Sequence, residues 1–145
     1  MAEEPIHAYV NETGESAYAV DVTVSGHNFK GDEPVSFGGG NFGPAPYDLL
    51  LAALGECTAM TVRWYAKQKN WPLDKVEVKL SHSKIEAGDA SEAAGRSGKV
   101  DIFDKEVTLH GDTLTPEQRT KLVEVAAKCP VHRTLQSNPI IRTIM

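Results

Sequence analysis

Apolar and polar residues alternate along the first part of the chain. Residues 7–13 and 17–24 follow this period of two, which is typical of half-buried β-strands, and turn-forming residues separate them. The pattern predicts a β-hairpin, with a third short strand over residues 27–30. Residues 31–45 include three consecutive glycines and predict a loop. This loop lacks the Gly-Lys-Ser/Thr ending of a phosphate-binding loop, and we expect no cofactor.

The longest apolar stretch of the chain, Pro44–Lys67, predicts a helix. Pro46 suits a first helical turn, and Asp48 suits the positive end of the helix dipole. Residues 49–54 have no polar break, which favours a helix that is covered on all sides. About 22 helical residues at about 1.5 Å each would span about 33 Å. We infer that a second subunit covers part of this long helix.

Two longer strands are predicted in the second half of the chain. Residues 76–80 alternate between apolar and charged, and we expect this strand to continue to residue 85. Residues 100–109 form the second strand. The intervening residues 86–98 are small, polar and acidic, without apolar periodicity, and predict a surface loop to which we assign no function.

The last third of the chain begins with a strong helix signal. Thr115 stands at the cap position and Gln118 three residues later, as in a capping box. This helix should end before Pro130, because the residue before a proline disfavours helical geometry. A short further turn over residues 131–136 and a last strand over residues 140–144 complete the prediction.

Composition places these elements in an ordinary globular protein. The 145 residues suit a single domain, residues 1–145, of mixed α/β class. The net charge is −5 without a basic stripe, so we expect neither nucleic-acid nor membrane binding. The acidic N-terminal residues lack the apolar region of a signal peptide, and we expect a cytoplasmic protein.

Candidate chemistry rests on the chain's two cysteines. Cys57 lies in the middle of the long predicted helix, and Cys129 lies at the end of another, close to Arg133. They could be inert core thiols, metal ligands or a redox pair. A positive charge such as that of Arg133 lowers the pKa of a nearby thiol, which distinguishes Cys129 from a simple core residue.

The metal hypothesis depends on a further ligand. Cys129 and His132 have ligand-like spacing, and Cys57 could be a third ligand. The remaining histidines are scattered, and no fourth ligand is evident. We therefore assign no metal site.

Three segments of this sequence resemble the OsmC/Ohr family of thiol peroxidases. They are GPAPYDLLLAALGECTAMTVRWYAKQKNWPLDKVEVKL over residues 43–80, CPVHRTL over residues 129–135, and PIIRTI over residues 139–144. The resemblance is closest to the OsmC-like branch that carries CPVHRTL. It implies an α/β (α+β) fold and an intertwined homodimer, in which long cysteine-bearing helices are central and are wrapped by sheets from both subunits.

The resemblance also implies roles for both cysteines. Cys57 matches the peroxidatic cysteine, which is oxidised to a sulfenic acid, and Cys129 matches the resolving cysteine, which forms a disulfide with it. A dithiol of lipoyl type, or a small thiol, would then restore both thiols. The implied activity is reduction of organic hydroperoxides, bound in an apolar pocket at the dimer interface, in oxidative-stress defence.

The group that activates Cys57 is left open by the sequence. Enzymes of this family carry an arginine in the N-terminal region, but here no arginine precedes Arg63. His27, Lys30 and Arg133 are the candidates.

A second departure from the family pattern lies at the helix start. Tyr47 occupies the position of the family's glutamate, and Asp48 follows it. Nine residues are about 900° of helix, so Asp48 would face away from Cys57 and is expected to be a helix-start residue. Glu56 would raise the pKa of the thiol if it lay close. The alternative function is an OsmC-like dimer with weak or no peroxidase activity that binds a small apolar ligand or senses redox state.

Overall fold

The computed structural model describes residues 4–145. By its internal contacts the chain divides after Leu50 into two compact units. The first contains a small sheet and the glycine-rich loop. The second contains both cysteines.

Three antiparallel strands form the sheet of the first unit. They are β1 (Ala8–Glu12), β2 (Val20–Val24) and β3 (His27–Gly31), in that order across the sheet. The turn between β2 and β3 uses two residues with positive φ, Ser25 and Gly26. The predicted hairpin and third strand are confirmed.

A buried carboxylate organises the glycine-rich loop. The Ser16 hydroxyl lies 2.9 and 3.0 Å from the two oxygens of Asp32 and donates its one proton to this carboxylate. The same carboxylate accepts backbone N–H groups from Glu33, Gly40 and Phe42. Burial raises the pKa of Asp32, but these hydrogen bonds together outweigh it, so the pKa lies below its usual value. The predicted loop is therefore ordered by Asp32 together with backbone hydrogen bonds, such as that from the Gly39 N–H to the Pro34 carbonyl oxygen at 3.2 Å.

The long predicted helix, α1, runs without interruption over Pro46–Lys69. Its 24 residues correspond to about 36 Å. At its start, the backbone N–H of Ala45 donates to Asp48 Oδ2 at 2.9 Å. The expectation that Asp48 is a helix-start residue is confirmed.

The second unit combines the rest of α1 with two long strands and two helices. β4 (Lys75–Glu86) and β5 (Lys99–His110) pair antiparallel along their whole length. α2 (Pro116–Ala126) and α3 (Pro130–Gln136) follow. All four were predicted, with bounds within a few residues.

The start of α2 has the predicted reciprocal cap. Thr115 Oγ1 accepts from the Gln118 N–H at 3.1 Å, and Gln118 Oε1 accepts from the Thr115 N–H at 3.0 Å. Both hydrogen bonds satisfy backbone donors that the first helical turn leaves free.

Two less regular segments differ in outcome. Residues 86–98 are mostly exposed, as a surface loop requires, but two 3₁₀ turns bury Ala87 and Ala93 against Val100. This local order was missed, because small alanines gave no apolar periodicity. The strand predicted over residues 140–144 is absent, because no strand within residues 4–145 pairs with it, and its isoleucines are 79–90% exposed.

The core of the second unit lies between α1 and α2. Its buried members are Val62, Ala66, Leu73, Leu114, Leu122 and Ala126. Within one chain, α1 buries only one face, and Met60 and Trp64 remain 61% exposed. Coverage of α1 by a second subunit stays a prediction. Among residues 4–145, no helix has the length and hydropathy to cross a membrane.

Candidate thiol site

The second unit brings together Cys57 and Cys129, the two cysteines that the sequence predicted as site residues. Both are free thiols, Cys57 in the middle of α1 and Cys129 immediately before α3. The N–H of Val131 donates to Cys57 Sγ at 3.4 Å, and the N–H of His132 donates to Cys129 Sγ at 3.4 Å. Cys57 is partly exposed, whereas Cys129 is 0% exposed. The backbone of α3 therefore holds both sulfurs.

The break between α2 and α3 explains why Cys129 is placed this way. Pro130 is the first residue of α3, where its missing N–H costs nothing. Cys129 becomes the N-cap residue with an extended backbone, φ −67° and ψ 154°. Its sulfur accepts a backbone N–H, as a serine or aspartate oxygen does at other helix starts.

A threonine links the two helices at the site. Thr58 is fully buried, and its hydroxyl lies 2.7 Å from the carbonyl oxygen of Leu54 and 3.5 Å from Cys129 Sγ. Because the hydroxyl has one proton, it can donate to only one of these acceptors at a time. The same oxygen accepts a hydrogen bond from Lys105 Nζ at 3.0 Å.

Lys105 is the cation of this network, and sequence reasoning missed it. Its Nζ also donates to the carbonyl oxygen of Ala126 at 2.6 Å and to His132 Nδ1 at 2.8 Å. The three N–H groups of the ammonium thus have three acceptors, with Thr58 as the third.

The alternation of β5 could have revealed Lys105. Val107 and Leu109 on this strand face inward, whereas Asp104 and Glu106 are exposed. Since strand side chains alternate between faces, a lysine two residues before Val107 lies on the inward face. An inward lysine on a half-buried strand requires polar partners, and this was the available signal.

Burial and polar contacts have opposite effects on the ionisation of Cys129. Burial raises the pKa of Cys129, but hydrogen bonds from Thr58 and from the His132 N–H lower it. A hydrogen bond with Cys57 and the charge of Lys105 lower it further, so the pKa of Cys129 lies below the usual cysteine value. Cys129 therefore ionises more readily than an ordinary buried thiol.

Lys105 and His132 have lowered pKa values for related reasons. Burial lowers the pKa of Lys105, and the charges of Cys129 and Cys57 oppose this. Burial and the adjacent Lys105 charge lower the pKa of His132. His132 is therefore neutral near pH 7, and its unprotonated Nδ1 accepts a hydrogen bond from Lys105 Nζ.

The three cations that the sequence offered for activating Cys57 have surroundings that differ from those of Lys105. Lys30 forms ion pairs with Glu15 at 2.6 Å and with Asp21 at 2.9 Å within its own unit. His27 and Arg133 are exposed. Lys105 is the cation that the structure shows in contact with the thiol network.

A cavity of about 950 Å³ lies beside Lys105 and His132. Its wall combines apolar side chains, including Phe103 and Leu135, with charged ones such as Arg96. This cavity lies within one chain, so the apolar pocket expected at a dimer interface stays a prediction. Arg96 comes from the segment to which the sequence assigned no function.

Metal ligation has no support from the arrangement of side chains. In the part of the chain that is described, no three His, Cys, Asp or Glu residues are grouped to hold a metal ion. His82 contacts Asp101 at 2.8 Å, and His110 contacts Glu77 at 2.7 Å. These two histidines have carboxylate partners outside the thiol site.

Comparison with known proteins adds a family and a fold. The family model described as OsmC-like protein matches residues 38–144, which include both cysteines. No curated protein matches the chain.

Three solved structures illustrate the structural likeness. An OsmC-like protein of Mycoplasma pneumoniae shares 20% identity at a TM-score of 0.66, covering 93% of this chain and 88% of that one. An organic hydroperoxide resistance protein of Legionella pneumophila shares 16% identity at 0.66, covering 95% and 93%. The organic hydroperoxide resistance protein OhrB of Bacillus subtilis shares 19% identity at 0.60, covering 94% of each chain. At these identities the likeness shows the fold, and it confirms the predicted mixed α/β class.

Proposed function

The chain belongs to the OsmC-like protein family, and on that premise we propose that it reduces organic hydroperoxides with Cys57 and Cys129. The observation that carries this proposal is the meeting of both thiols at the start of α3 in one chain. Two of the three solved structures described above are of proteins named for organic hydroperoxide resistance, which supports the substrate class.

The first step uses the more accessible sulfur. Cys57 is partly exposed, whereas Cys129 is fully buried, so a peroxide reaches Cys57 first. The Cys57 thiolate attacks the terminal oxygen of the hydroperoxide, the O–O bond breaks, and the alkoxide takes up a proton to leave as an alcohol. The sulfur is oxidised to a sulfenic acid.

The second step consumes the other thiol. The Cys129 thiolate attacks the sulfenic sulfur of Cys57, an S–S bond forms, and the S–O bond breaks to release hydroxide, which takes up a solvent proton. A dithiol reductant, of lipoyl type or a small thiol, then exchanges with this disulfide and leaves as its own disulfide. Each cycle thus converts one hydroperoxide and one dithiol into alcohol, water and a disulfide.

We further propose that the working form is a homodimer. The exposed Met60 and Trp64 of α1 form an apolar face that a second copy could cover. A monomeric mass in solution at micromolar concentration would contradict this proposal. We also propose that residues 1–145 act as one domain, since α1 runs continuously across the division after Leu50.

The function is tested with cumene hydroperoxide and the reduced protein. We expect both thiols of each chain to be lost together, and continuous peroxide consumption when dihydrolipoamide is present. Cys57→Ser should abolish consumption, whereas Cys129→Ser should leave a sulfenic acid that dimedone traps. The enzyme assignment would be contradicted if the wild-type protein consumed no peroxide with either dihydrolipoamide or dithiothreitol.

A further inference from the structure

We infer that Lys105 is a positioning residue for the thiol pair, whose ammonium group keeps Cys129 in the thiolate form that attacks oxidised Cys57. Its catalytic consequence rests on the proposed function, but its effect on the thiol is measurable without any peroxide. The inference arises from three hydrogen bonds that converge on one partly buried ammonium group.

Three different helices fix the position of this ammonium group. Thr58 Oγ1 comes from α1, the carbonyl oxygen of Ala126 from the end of α2, and His132 Nδ1 from α3. Burying a charge without partners is costly, whereas here each N–H of the ammonium has an acceptor. Lys105 is therefore held in one place as a cation.

Thr58 connects the ammonium group to the buried sulfur. When Cys129 is a thiol, it can donate to Thr58 Oγ1, while the Thr58 proton bonds the Leu54 carbonyl at 2.7 Å. When Cys129 loses its proton, the Thr58 hydroxyl can rotate and donate to the sulfur, 3.5 Å away. Lys105 favours this thiolate state, because its hydrogen bond to the Thr58 oxygen makes the Thr58 hydroxyl a stronger hydrogen-bond donor.

Charges near the site on other elements lie toward solvent. On β5, Asp104 and Glu106 flank Lys105 but are exposed. Glu56 on α1 and Arg133 on α3 are also exposed. Water screens such charges, whereas Lys105 acts inside the unit, where screening is weaker.

A neutral histidine completes the arrangement. His132 accepts from Lys105 through Nδ1 while its own backbone N–H donates to Cys129 Sγ. Through this hydrogen bond Lys105 links β5 to the first turn of α3. The backbone N–H groups of that turn donate to both sulfurs. Loss of Lys105 would remove both a charge and an anchor, and the experiment must separate the two effects.

The direct test titrates Cys129 alone. Because the chain has two cysteines, Cys57→Ser leaves Cys129 as the single thiol. Its thiolate absorbance near 240 nm is followed against pH, with the Cys57→Ser/Cys129→Ser protein as the blank. Added Lys105→Met should raise the pKa of Cys129 by about one unit, a tenfold loss of thiolate at fixed pH. Added Lys105→Arg should retain most of the wild-type thiolate, because it keeps the charge.

Two further variants keep the test decisive. Where Lys105→Met does not fold by circular dichroism, Lys105→Gln replaces it, since an amide still donates two hydrogen bonds but carries no charge. Thr58→Val keeps the lysine and removes the hydroxyl, and it should also raise the pKa of Cys129. A folded, uncharged Lys105 variant with the same Cys129 titration as its parent would overturn the inference.

A kinetic measurement separates this inference from the proposed function. In the protein with both cysteines, Lys105→Met should slow disulfide formation after sulfenic acid formation by about tenfold at neutral pH. The rate should recover at higher pH, where Cys129 ionises without help, which a purely structural defect would not produce. If the wild type consumes no hydroperoxide, the proposed function fails, while the titration still decides the role of Lys105.

Discussion

Along one face of α1, two neighbouring regions are equally buried but held in different ways. Thr58 and Val62, one helical turn apart, are both 0% exposed. Val62 packs in an apolar cluster with Leu122, whereas Thr58 shares hydrogen bonds with Lys105 and Cys129. Apolar packing, which has no preferred direction, thus holds the core together. The thiol site is held by directional hydrogen bonds that include a charged group.

Substitutions in these two regions should therefore change different properties. Those in the core should change the stability of the fold, and those in the thiol site should change the ionisation of Cys129. A methylene group lost from the core leaves a cavity, and its cost appears in the free energy of unfolding. A polar atom lost from the thiol site redistributes charge around Cys129, and its cost appears first in the ionisation of the thiol. The following substitutions test whether this separation is real.

The largest expected effect comes from the centre of the core. Leu122 is 0% exposed, and Leu122→Ala should lower the free energy of unfolding by about 2–5 kcal/mol. Urea denaturation, followed by circular dichroism, measures this loss. The pKa of Cys129 in molecules that remain folded should not change, because the polar contacts of the site remain.

The neighbouring residue of the same helix is the matched control. Val123 is exposed, and Val123→Ala should change the free energy of unfolding by less than about 0.5 kcal/mol. Equal losses for both variants would show that α2 is not packed as described. A shifted Cys129 titration in folded Leu122→Ala would show that core and site are not separable.

A smaller effect distinguishes the two thiols themselves. Iodoacetamide should modify Cys57 at least about tenfold faster than Cys129, which corresponds to a local opening cost of about 1.4 kcal/mol. The reason is that Cys129 is fully buried, so access outweighs its lowered pKa. Trypsin places the two residues in separate peptides, 31–63 and 129–133, whose modification mass spectrometry can follow.

Denatured protein provides the reference for this measurement. In concentrated urea the two cysteines should react at similar rates, because burial is lost. Faster modification of Cys129 in the folded protein would reverse the assigned order of attack. In that case Cys129 would be the better candidate for the first reaction with peroxide.

Much of the fold could be predicted because its signals are local. The capping box of Thr115 and Gln118 depends on residues three apart, and it is present as predicted. The strand over residues 140–144 was predicted by its apolar residues alone. A strand also requires a partner edge, and a local pattern does not contain that information.

The candidate site could be predicted only in part. The resemblance selected Cys57 and Cys129, and the structure brings them together. Lys105 was missed because its three acceptors come from Thr58, Ala126 and His132, which are distant in sequence and meet only after packing. A cation 48 residues from one thiol and 24 from the other has no spacing motif.

The smallest expected effect concerns His132 and tests how the site responds to acid. Its pKa lies below the usual 6.5, because burial and the Lys105 charge disfavour the protonated ring. The unfolded chain therefore binds this proton more readily than the folded chain between the two pKa values. Stability from this group is fully present above pH 6.5 and is lost as the pH falls through the folded value.

His132→Asn should remove that loss while keeping an acceptor near the position of Nδ1. We expect the difference in unfolding free energy between pH 7 and acidic pH to shrink by about 1 kcal/mol or less, the net value of one hydrogen bond. The other histidines titrate in both proteins, so the difference between wild type and variant isolates His132. Identical pH profiles would mean that the pKa of His132 is not lowered in the folded protein, and that neither burial nor the Lys105 charge acts on the ring as described.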